Sequence, residues 1–191
     1  MDNTYFAHSA VLLIHTFFGL YILAVMLRFL FQWLRADFYN PVSQFLVKIT
    51  NPPLKPLRRI IPGWGGIDLA SVVLMLTLQL IEVYLVTLAM GVRGSAGALF
   101  FTSLADLLNL FFNVFLFGVL LRVILSWVAP QTYNPVTTLL HTLTEPVLAP
   151  ARRVIPPISG VDLSPVLTLL VLQLAKILVV APIADLGRVT G

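Results

Sequence analysis

The chain has 191 residues, of which 59% are hydrophobic and only 10% are charged, and its formal net charge is +4. A soluble domain carries about 25% charged residues, so this composition excludes an ordinary globular protein. The sequence contains no cysteine, which excludes disulfides, thiolate metal sites and CxxC redox chemistry within this chain.

Four apolar runs follow one another along the chain, at about residues 10–34, 67–90, 104–128 and 161–184. Each is long enough for the about 20 residues that cross a bilayer core. A soluble fold of this length has too little polar surface to hide four such segments. We therefore predict an all-α membrane protein with four transmembrane helices.

The sequence matches itself at an offset of 94 residues, without a gap. Residues 27–80 and 121–174 are identical at 24 of 54 positions. The most distinctive matches are Arg28 with Arg122, Trp33 with Trp127, the two YNPV stretches beginning at Tyr39 and Tyr133, the pairs Arg58-Arg59 and Arg152-Arg153, Gly66 with Gly160, and Gln79 with Gln173. Such a pattern indicates an internal duplication.

The duplication divides the chain into residues 1–93 and 94–191. In each half a polar connector, residues 35–66 or 129–160, joins two spans. Because two is an even number, both halves enter the membrane in the same direction, as parallel repeats. We therefore expect both connectors on one side of the membrane.

The side that carries the connectors is the more basic one. The opposite side has only Arg93 and Arg188 outside the spans. The connector side has Arg35, Lys48, Lys55, Arg58, Arg59, Arg152 and Arg153. The positive-inside rule then predicts cytoplasmic connectors and external termini.

Each connector is predicted to contain a short amphipathic helix. Asn40 and Asn134 are good N-caps, and each is followed by proline, which suits the first helical position. Apolar residues then recur at i, i+3, i+4 and i+7, as Val42, Phe45, Leu46 and Ile49 and as Val136, Leu139, Leu140 and Leu143. We expect this stripe to face the acyl chains at the membrane interface, and the later prolines to end the helix.

Two arginine pairs follow these helices, Arg58 with Arg59 and Arg152 with Arg153. They are expected at the level of anionic lipid headgroups, where each basic residue contributes about 1 kcal/mol of attraction. We predict that these four residues bind lipid headgroups.

Charged residues also occur at the ends of the spans. Arg28 and Arg122 each lie five residues before a tryptophan, so they are about 7.5 Å deeper than this interfacial marker. Asp68 and Asp162 begin the return spans at a similar level. One hypothesis pairs Arg28 with Asp68 and Arg122 with Asp162. In the other, each aspartate only caps its helix, and both can hold together.

Polar residues recur deeper in the second and fourth spans. Gln79 and Glu82 lie in the second span, and Gln173 and Lys176 occupy the equivalent positions in the fourth. A lone charge in the bilayer is costly, so one hypothesis packs the two spans centrally around a single polar cluster. The alternative is that Glu82 and Lys176 extend separately to the headgroups.

No catalytic, cofactor or metal site is predicted, because the sequence has no HExxH, GxSxG or phosphate-binding loop. His8 and His15 share a helix face, but no second histidine pair on another span could complete a haem site, so we interpret them as packing or interfacial residues. Nothing aromatic is arranged near the basic connectors for base stacking, and we expect no nucleic acid partner.

The repeated pattern resembles the YggT family, also called YlmG. A span ending in Arg and Trp is followed by YNPV, by RRIIP or RRVIP, and by G-x-D before a second span. The second copy departs from the first at Ala149 and Pro157, which replace Lys55 and Gly63. The resemblance implies a small protein of the bacterial inner membrane without established catalytic activity. It also implies an association with osmotic-stress tolerance and potassium homeostasis.

Three classes of function remain. The first, which we prefer, is a membrane scaffold or assembly factor that binds lipids and other membrane proteins or a second copy of itself. The second is a protein that conducts ions, potassium in particular, or modulates their transport. The third, a membrane enzyme, lacks a recognisable site.

Overall fold

The computed structural model describes residues 3–128, 134–155 and 162–190. Within these ranges the chain forms α1 (Asn3–Trp33), α2 (Pro41–Ile60), α3 (Leu69–Ala89), α4 (Ala96–Val128), α5 (Pro135–Val154) and α6 (Ser164–Val189). Helices α1, α3, α4 and α6 are long and apolar enough to cross a membrane. The predicted all-α fold with four spans is therefore confirmed, although α4 begins earlier than expected, at Ala96.

Part of the second connector lies outside the described residues. Tyr133, Pro157 and Gly160, three positions of the repeat pattern, are among these. The described part of the second connector is mainly α5. The first connector is described throughout and contains α2.

The spans form two hairpins, one from each repeat. Helix α1 packs on α3, α4 packs on α6, and the two hairpins meet mainly where α3 packs on α4. The connector helices lie on the same side of the spans, where Asn40 Nδ2 donates a hydrogen bond to the Pro135 carbonyl at 2.7 Å. This arrangement agrees with parallel repeats.

Helices α3 and α6 make no contact with each other across the described part of the chain. The hypothesis that the second and fourth spans pack centrally is therefore wrong. It assumed that equivalent spans meet at a two-fold axis. Instead, the second span of one repeat packs on the first span of the other.

Both connector helices begin as the sequence predicts. The Asn40 side chain accepts a hydrogen bond from the Val42 amide at 2.9 Å, and Asn134 forms a capping box with Thr137. The predicted helix end is wrong, however, because each helix runs for 20 residues and continues through its prolines.

Tertiary contacts explain why the prolines do not end α2 and α5. An interior proline costs about 3 kcal/mol, partly because the carbonyl four residues earlier loses its donor. In α2, Pro53 leaves the Ile49 carbonyl free, and the Tyr21 hydroxyl of α1 donates to it at 3.2 Å. Leu54, which follows Pro53 in α2, and Leu148, which lies between Pro146 and Pro150 in α5, are almost completely buried. Packing on the spans thus stabilises both helices.

The same packing corrects the predicted orientation of the apolar stripe. In α2, Leu46 is buried against the protein while Phe45 is 60% exposed. In α5, Leu139, Leu140 and Leu143 are all buried. The stripe therefore faces mainly the spans rather than the acyl chains.

The core lies between the connector helices and the adjoining halves of the spans. Ile22, Leu30 and Leu54 are fully buried there and join residues of α3, α4 and α5 in one cluster. Gly118 of α4 lets α5 approach closely, since a Cβ at this position would lie 3.1 Å from Cγ2 of Thr144. The connectors are thus integral parts of the fold.

Candidate functional site

Each repeat holds its connector helix with the arginine of its first span. Arg28 is 6% exposed, and its Nη1 donates to Thr50 Oγ1 at 2.6 Å while its Nη2 donates to Asn51 Oδ1 at 2.9 Å. The Thr50 hydroxyl donates in turn to the Leu46 carbonyl at 2.6 Å. We call this set of contacts the arginine clasp.

The second repeat builds the same clasp with a different partner. Arg122 Nη1 donates to Thr144 Oγ1 at 2.9 Å, and the Thr144 hydroxyl donates to the Leu140 carbonyl at 2.8 Å. The position equivalent to Asn51 is Glu145, whose carboxylate accepts from Arg122 at 2.9 Å. The arginine therefore has only neutral partners in the clasp of the first repeat, whereas the clasp of the second repeat contains an ion pair.

The predicted pairs between span arginines and aspartates are not formed. Asp68 pairs with Arg58, and Asp162 pairs with Arg152 through Nε at 3.2 Å. The hypothesis was wrong because α2 and α5 continue through their prolines and bring these arginines back to the start of the return spans. The span arginines bind the connector helices instead.

Asp68 also caps its return span, as the second hypothesis proposed, whereas Asp162 lies one residue before Leu163, the N-cap of α6, and binds only the first helical amide. The Asp68 carboxylate accepts from the Ser71 hydroxyl at 2.5 Å, and Asp162 accepts from the Ser164 amide at 2.9 Å. Burial alone would raise the pKa of Asp68, but the hydrogen bonds from Arg58 and Ser71 outweigh burial and lower it. Burial would also raise the pKa of Asp162, but the hydrogen bonds from Ser164 and Arg152 outweigh it and lower this pKa, so both aspartates are held in their ionised form.

In the second repeat these contacts join into one chain of charges. The Glu145 carboxylate binds Arg122 at 2.9 Å and Arg152 at 2.8 Å, and Arg152 continues to Asp162. Burial by itself raises the pKa of Glu145, but the hydrogen bond and the positive charge of Arg122 outweigh it, and the pKa falls below its usual value. The positive charges of the two arginines are thus compensated by the negative charges of the two carboxylates.

The prediction that both arginine pairs bind headgroups remains untested, but their members differ. Arg58 and Arg152 are engaged by carboxylates. Arg59 and Arg153 are exposed and make no ion pair with any described residue. A shallow open cleft of about 450 Å³ lies beside the Arg58–Asp68 pair, with Gln32 and Gly66 on its wall.

The predicted cluster of four polar residues is divided between the repeats. Glu82 accepts from Gln79 Nε2 at 3.1 Å and is hydrogen-bonded to His15 Nδ1 at 2.6 Å. Asp106 of α4 interacts electrostatically with both Glu82 and His15. The hypothesis of a shared cluster is wrong, because the partner of Glu82 comes from the first span of its own repeat.

Lys176, at the position of the second repeat that corresponds to Glu82, also finds its partner within its own hairpin. Lys176 Nζ donates to Asn113 Oδ1 on α4 at 2.7 Å. Gln173 is exposed and has no hydrogen-bond partner among the residues that the structure describes. Neither Glu82 nor Lys176 needs to extend to the headgroups to find a partner.

Several partners were not identified from the sequence. Thr50 and Thr144 are identical in the two repeats, and this match was the signal that could have indicated a shared role. His15 was interpreted as a packing residue, and the sequence alone gave no means to align it with Glu82. Across the described ranges, no group of three or more His, Asp or Glu residues could hold a metal ion.

The outer surface of α2 and α5, with the residues that precede α2, forms what we call the connector platform. Phe38, Tyr39 and Phe45 are 56%, 85% and 60% exposed on it. Lys48 and Lys55 are exposed on the same helix. The platform therefore offers aromatic and basic side chains together.

A model of the CCB3/YggT family matches residues 7–89 and 101–183, and these two stretches have the same offset as the internal repeat. The match covers both hairpins and both connector helices. It confirms the duplication and the resemblance that the sequence motifs indicated.

Full-length relatives give the same result. An uncharacterized protein of Pseudomonas aeruginosa is 47% identical over 185 residues, which are 96% of this chain and 92% of the relative. An uncharacterized Vibrio alginolyticus protein from the proC 3′ region is 45% identical over 90% of this chain and 93% of its own length. The uncharacterized protein YggT of Escherichia coli K12 is 35% identical over 96% of this chain and 94% of its own length. No solved structure matches the chain. By both comparisons, this chain belongs to the CCB3/YggT family.

Proposed function

We propose that this protein is a non-enzymatic membrane scaffold, whose connector platform binds other membrane proteins and lipid headgroups. The observation that carries the proposal is the arginine clasp. Charged residues near a bilayer are costly, and both span arginines are used to hold a connector helix against the spans. Contacts of this kind keep a binding surface in one position.

The surface chemistry supports this role. Aromatic residues are enriched in protein interfaces, and Phe38, Tyr39 and Phe45 are exposed on the platform. Exposed Arg59 and Arg153 suit anionic headgroups. Of the four arginines predicted to bind headgroups, we therefore assign this role to Arg59 and Arg153 only.

Its cellular place is part of the proposal. The excess of basic residues on the connector side favours cytoplasmic connectors and external termini, in a bacterial inner membrane. The association of the family with osmotic-stress tolerance then suggests that the platform acts on proteins of the osmotic response. Its ligands would approach from the cytoplasm.

Site-specific photocrosslinking in native membranes tests the proposal. A photoreactive residue at Tyr39 or Phe45 is expected to give a discrete adduct with another membrane protein. The matched control is Leu178 on α6, which is 73% exposed. The platform adduct should disappear in an Arg28→Ala, Arg122→Ala variant that still reaches the membrane. Identical patterns at Tyr39 and Leu178 contradict the proposal.

One observation favours ion conduction or transport modulation as a second candidate. The Glu82 side chain is 5% exposed within a span, and the hydrogen-bonded His15 side chain is 56% exposed. A carboxylate and an imidazole at this depth could bind a cation or transfer a proton. Potassium and proton flux into vesicles containing the purified protein distinguishes the candidates. The scaffold predicts no flux above protein-free vesicles, whereas conduction predicts flux that Glu82→Gln abolishes.

A further inference from the structure

The contact between the two repeats is one-sided. Helix α3 of the first repeat packs on α4 of the second. A two-fold relation would also require α6, the equivalent of α3, to pack on α1, and no such contact exists in the described part of the chain. The contact is therefore head-to-tail. The surface of α6 that corresponds to the contact surface of α3, and the surface of α1 that corresponds to that of α4, are both left without a partner in the described part of the chain.

Burial identifies the unused surface on α6. Gln79 and Val83 of α3 are 6% and 9% exposed, whereas the equivalent Gln173 is exposed and Ile177 is 53% exposed. Each return span packs on the first span of its own hairpin, but across the described residues only α3 also packs on a span of the other repeat. The difference in burial therefore marks the stripe that the other repeat covers on α3 and that remains open on α6.

The complementary surface is open on α1. Leu107 and Val114 of α4 are each 8% exposed within the core cluster. Their equivalents on α1, Leu13 and Leu20, are 56% and 63% exposed, and Phe17 between them is 69% exposed. These three residues follow i, i+4 and i+7 and form one helix stripe.

Gln173 shows that lipid is a poor cover for the α6 stripe. It lies nine residues after Ser164, the first residue of α6, and so about 13.5 Å along the helix. Its amide is exposed there without a hydrogen-bond partner among the described residues. An unsatisfied amide in hydrocarbon is unfavourable, whereas a protein surface can supply a partner.

We propose that α6 of one copy packs on α1 of a second copy and repeats the α3–α4 contact between molecules. Both repeats cross the membrane in the same direction, so the operation that relates them is a rotation about the membrane normal. Successive copies consequently stay in the membrane plane, and they close into a ring where the rotation divides a full turn. This inference rests on the repeat geometry and not on the proposed scaffold function.

The internal contact also predicts the register. Glu82 of α3 lies near Asp106 of α4. The same register between copies sets Gln173 level with His15 of the next copy. His15 uses Nδ1 to bind Glu82, and Nε2 of this half-exposed side chain can pair with the amide.

Cysteine crosslinking in native membranes tests the contact, since the chain has no cysteine of its own. Leu20→Cys and Leu169→Cys are introduced into separate, differently tagged copies that are expressed together. Val114 and Met75, their equivalents in the internal contact, share the buried core cluster. The mixed disulfide is expected, and products joining two copies of the same variant are expected to be minor.

The matched control replaces Leu169→Cys with Val171→Cys, which lies about 3 Å further along α6 and about 160° around it, and whose equivalent on α3, Thr77, is exposed. It should give at least about fivefold less mixed product. The pair Met75→Cys and Val114→Cys in one chain calibrates the same contact within the molecule.

A chain that carries both Leu20→Cys and Leu169→Cys should form a ladder of products that ends at the ring size. Products between identical cysteines alone indicate a two-fold dimer and overturn the proposal. Exclusively monomeric product also overturns it, provided that the calibrating pair crosslinks.

Discussion

The two repeats hold the same arginine in different electrostatic surroundings. In the first, Arg28 is bound by Thr50 and by the neutral amide of Asn51, and no described carboxylate forms an ion pair with it. In the second, the equivalent arginine is bound by a threonine and by Glu145. In both clasps the arginine donates to the threonine hydroxyl, which donates to the carbonyl four residues earlier.

This difference separates the two tasks of the clasp. The threonine, which donates to its own helix and accepts from the arginine, is common to both repeats and positions the contact. The residue after the threonine determines whether the clasp is connected to the ion pair between the connector arginine and the aspartate of the return span. Glu145 connects it through Arg152, while Asn51 leaves the Arg58–Asp68 pair separate. Stability should therefore depend on single residues in the first repeat and on a network in the second.

The first test of the comparison concerns orientation, and its outcome is all or none. Single cysteines at Gln44 and Thr138, which are exposed on α2 and α5, should react with an impermeant thiol reagent only from the cytoplasm. A cysteine at Arg93 should react only from outside. Labelling of Gln44→Cys and Thr138→Cys from opposite sides contradicts the parallel arrangement of the repeats.

The second test compares the two ion pairs at the start of the return spans, Arg58–Asp68 and Arg152–Asp162. Asp68 has a side chain 5% exposed, so Asp68→Ala leaves Arg58 with no carboxylate and removes the cap of α3. Breaking a buried pair costs about 3–5 kcal/mol, and the partial exposure of Arg58 places the loss near the lower end. Asp162→Ala should cost less, since Arg152 keeps Glu145. Thermal unfolding in detergent measures both.

A double variant serves as the control for that test. Arg58→Ala combined with Asp68→Ala removes both charges, so it should be less harmful than Asp68→Ala alone. Strict additivity of the two losses would mean that the pair contributes no coupling energy. Equal losses for Asp68→Ala and Asp162→Ala would contradict the difference between the repeats.

Sequence patterns predicted the spans, the duplication and the helix N-caps, because these depend on local composition and on short spacing. They did not predict that α2 and α5 continue through their prolines, since the compensating Tyr21 and Leu54 contacts come from tertiary packing. The partners of Arg28 and Asp68 were missed for the same reason. A helix that continues through its prolines changes which charges meet.

The pairing of Glu82 with His15 was equally inaccessible to the sequence. It depends on how far α3 is displaced along α1, and two uniformly apolar helices carry no periodic signal for that displacement. The equivalent residues illustrate this point. Lys176 pairs with Asn113, which corresponds to Gly19 and not to His15. The duplication therefore does not transfer the pairing from one repeat to the other.

The third test exchanges the residue that distinguishes the two clasps. Asn51→Glu should give Arg28 a carboxylate and connect it to Arg58, which raises stability by about 1 kcal/mol because hydrogen bonds between charged groups are stronger. Glu145→Asn should lower stability by a similar amount. Asn51→Gln, which adds length without charge, is the control and should give no gain. A loss from both Asn51→Glu and Glu145→Asn would show that this residue does not set the clasp.

The smallest expected effect is a difference in acid sensitivity between the repeats. Interactions with Arg122 outweigh burial and lower the pKa of folded Glu145 below its unfolded value of about 4.3. Its contribution to stability is therefore complete above this value and is lost as the pH falls through the folded pKa. Glu145→Gln should unfold at a lower temperature than the parent at pH 7 but lose less stability between about pH 5 and pH 3. Asn51→Gln, which replaces a residue that does not titrate, should leave the acid response unchanged. If Glu145→Gln and the parent lose equal stability over this pH range, the Glu145 carboxylate does not link the clasp to the Arg152–Asp162 pair.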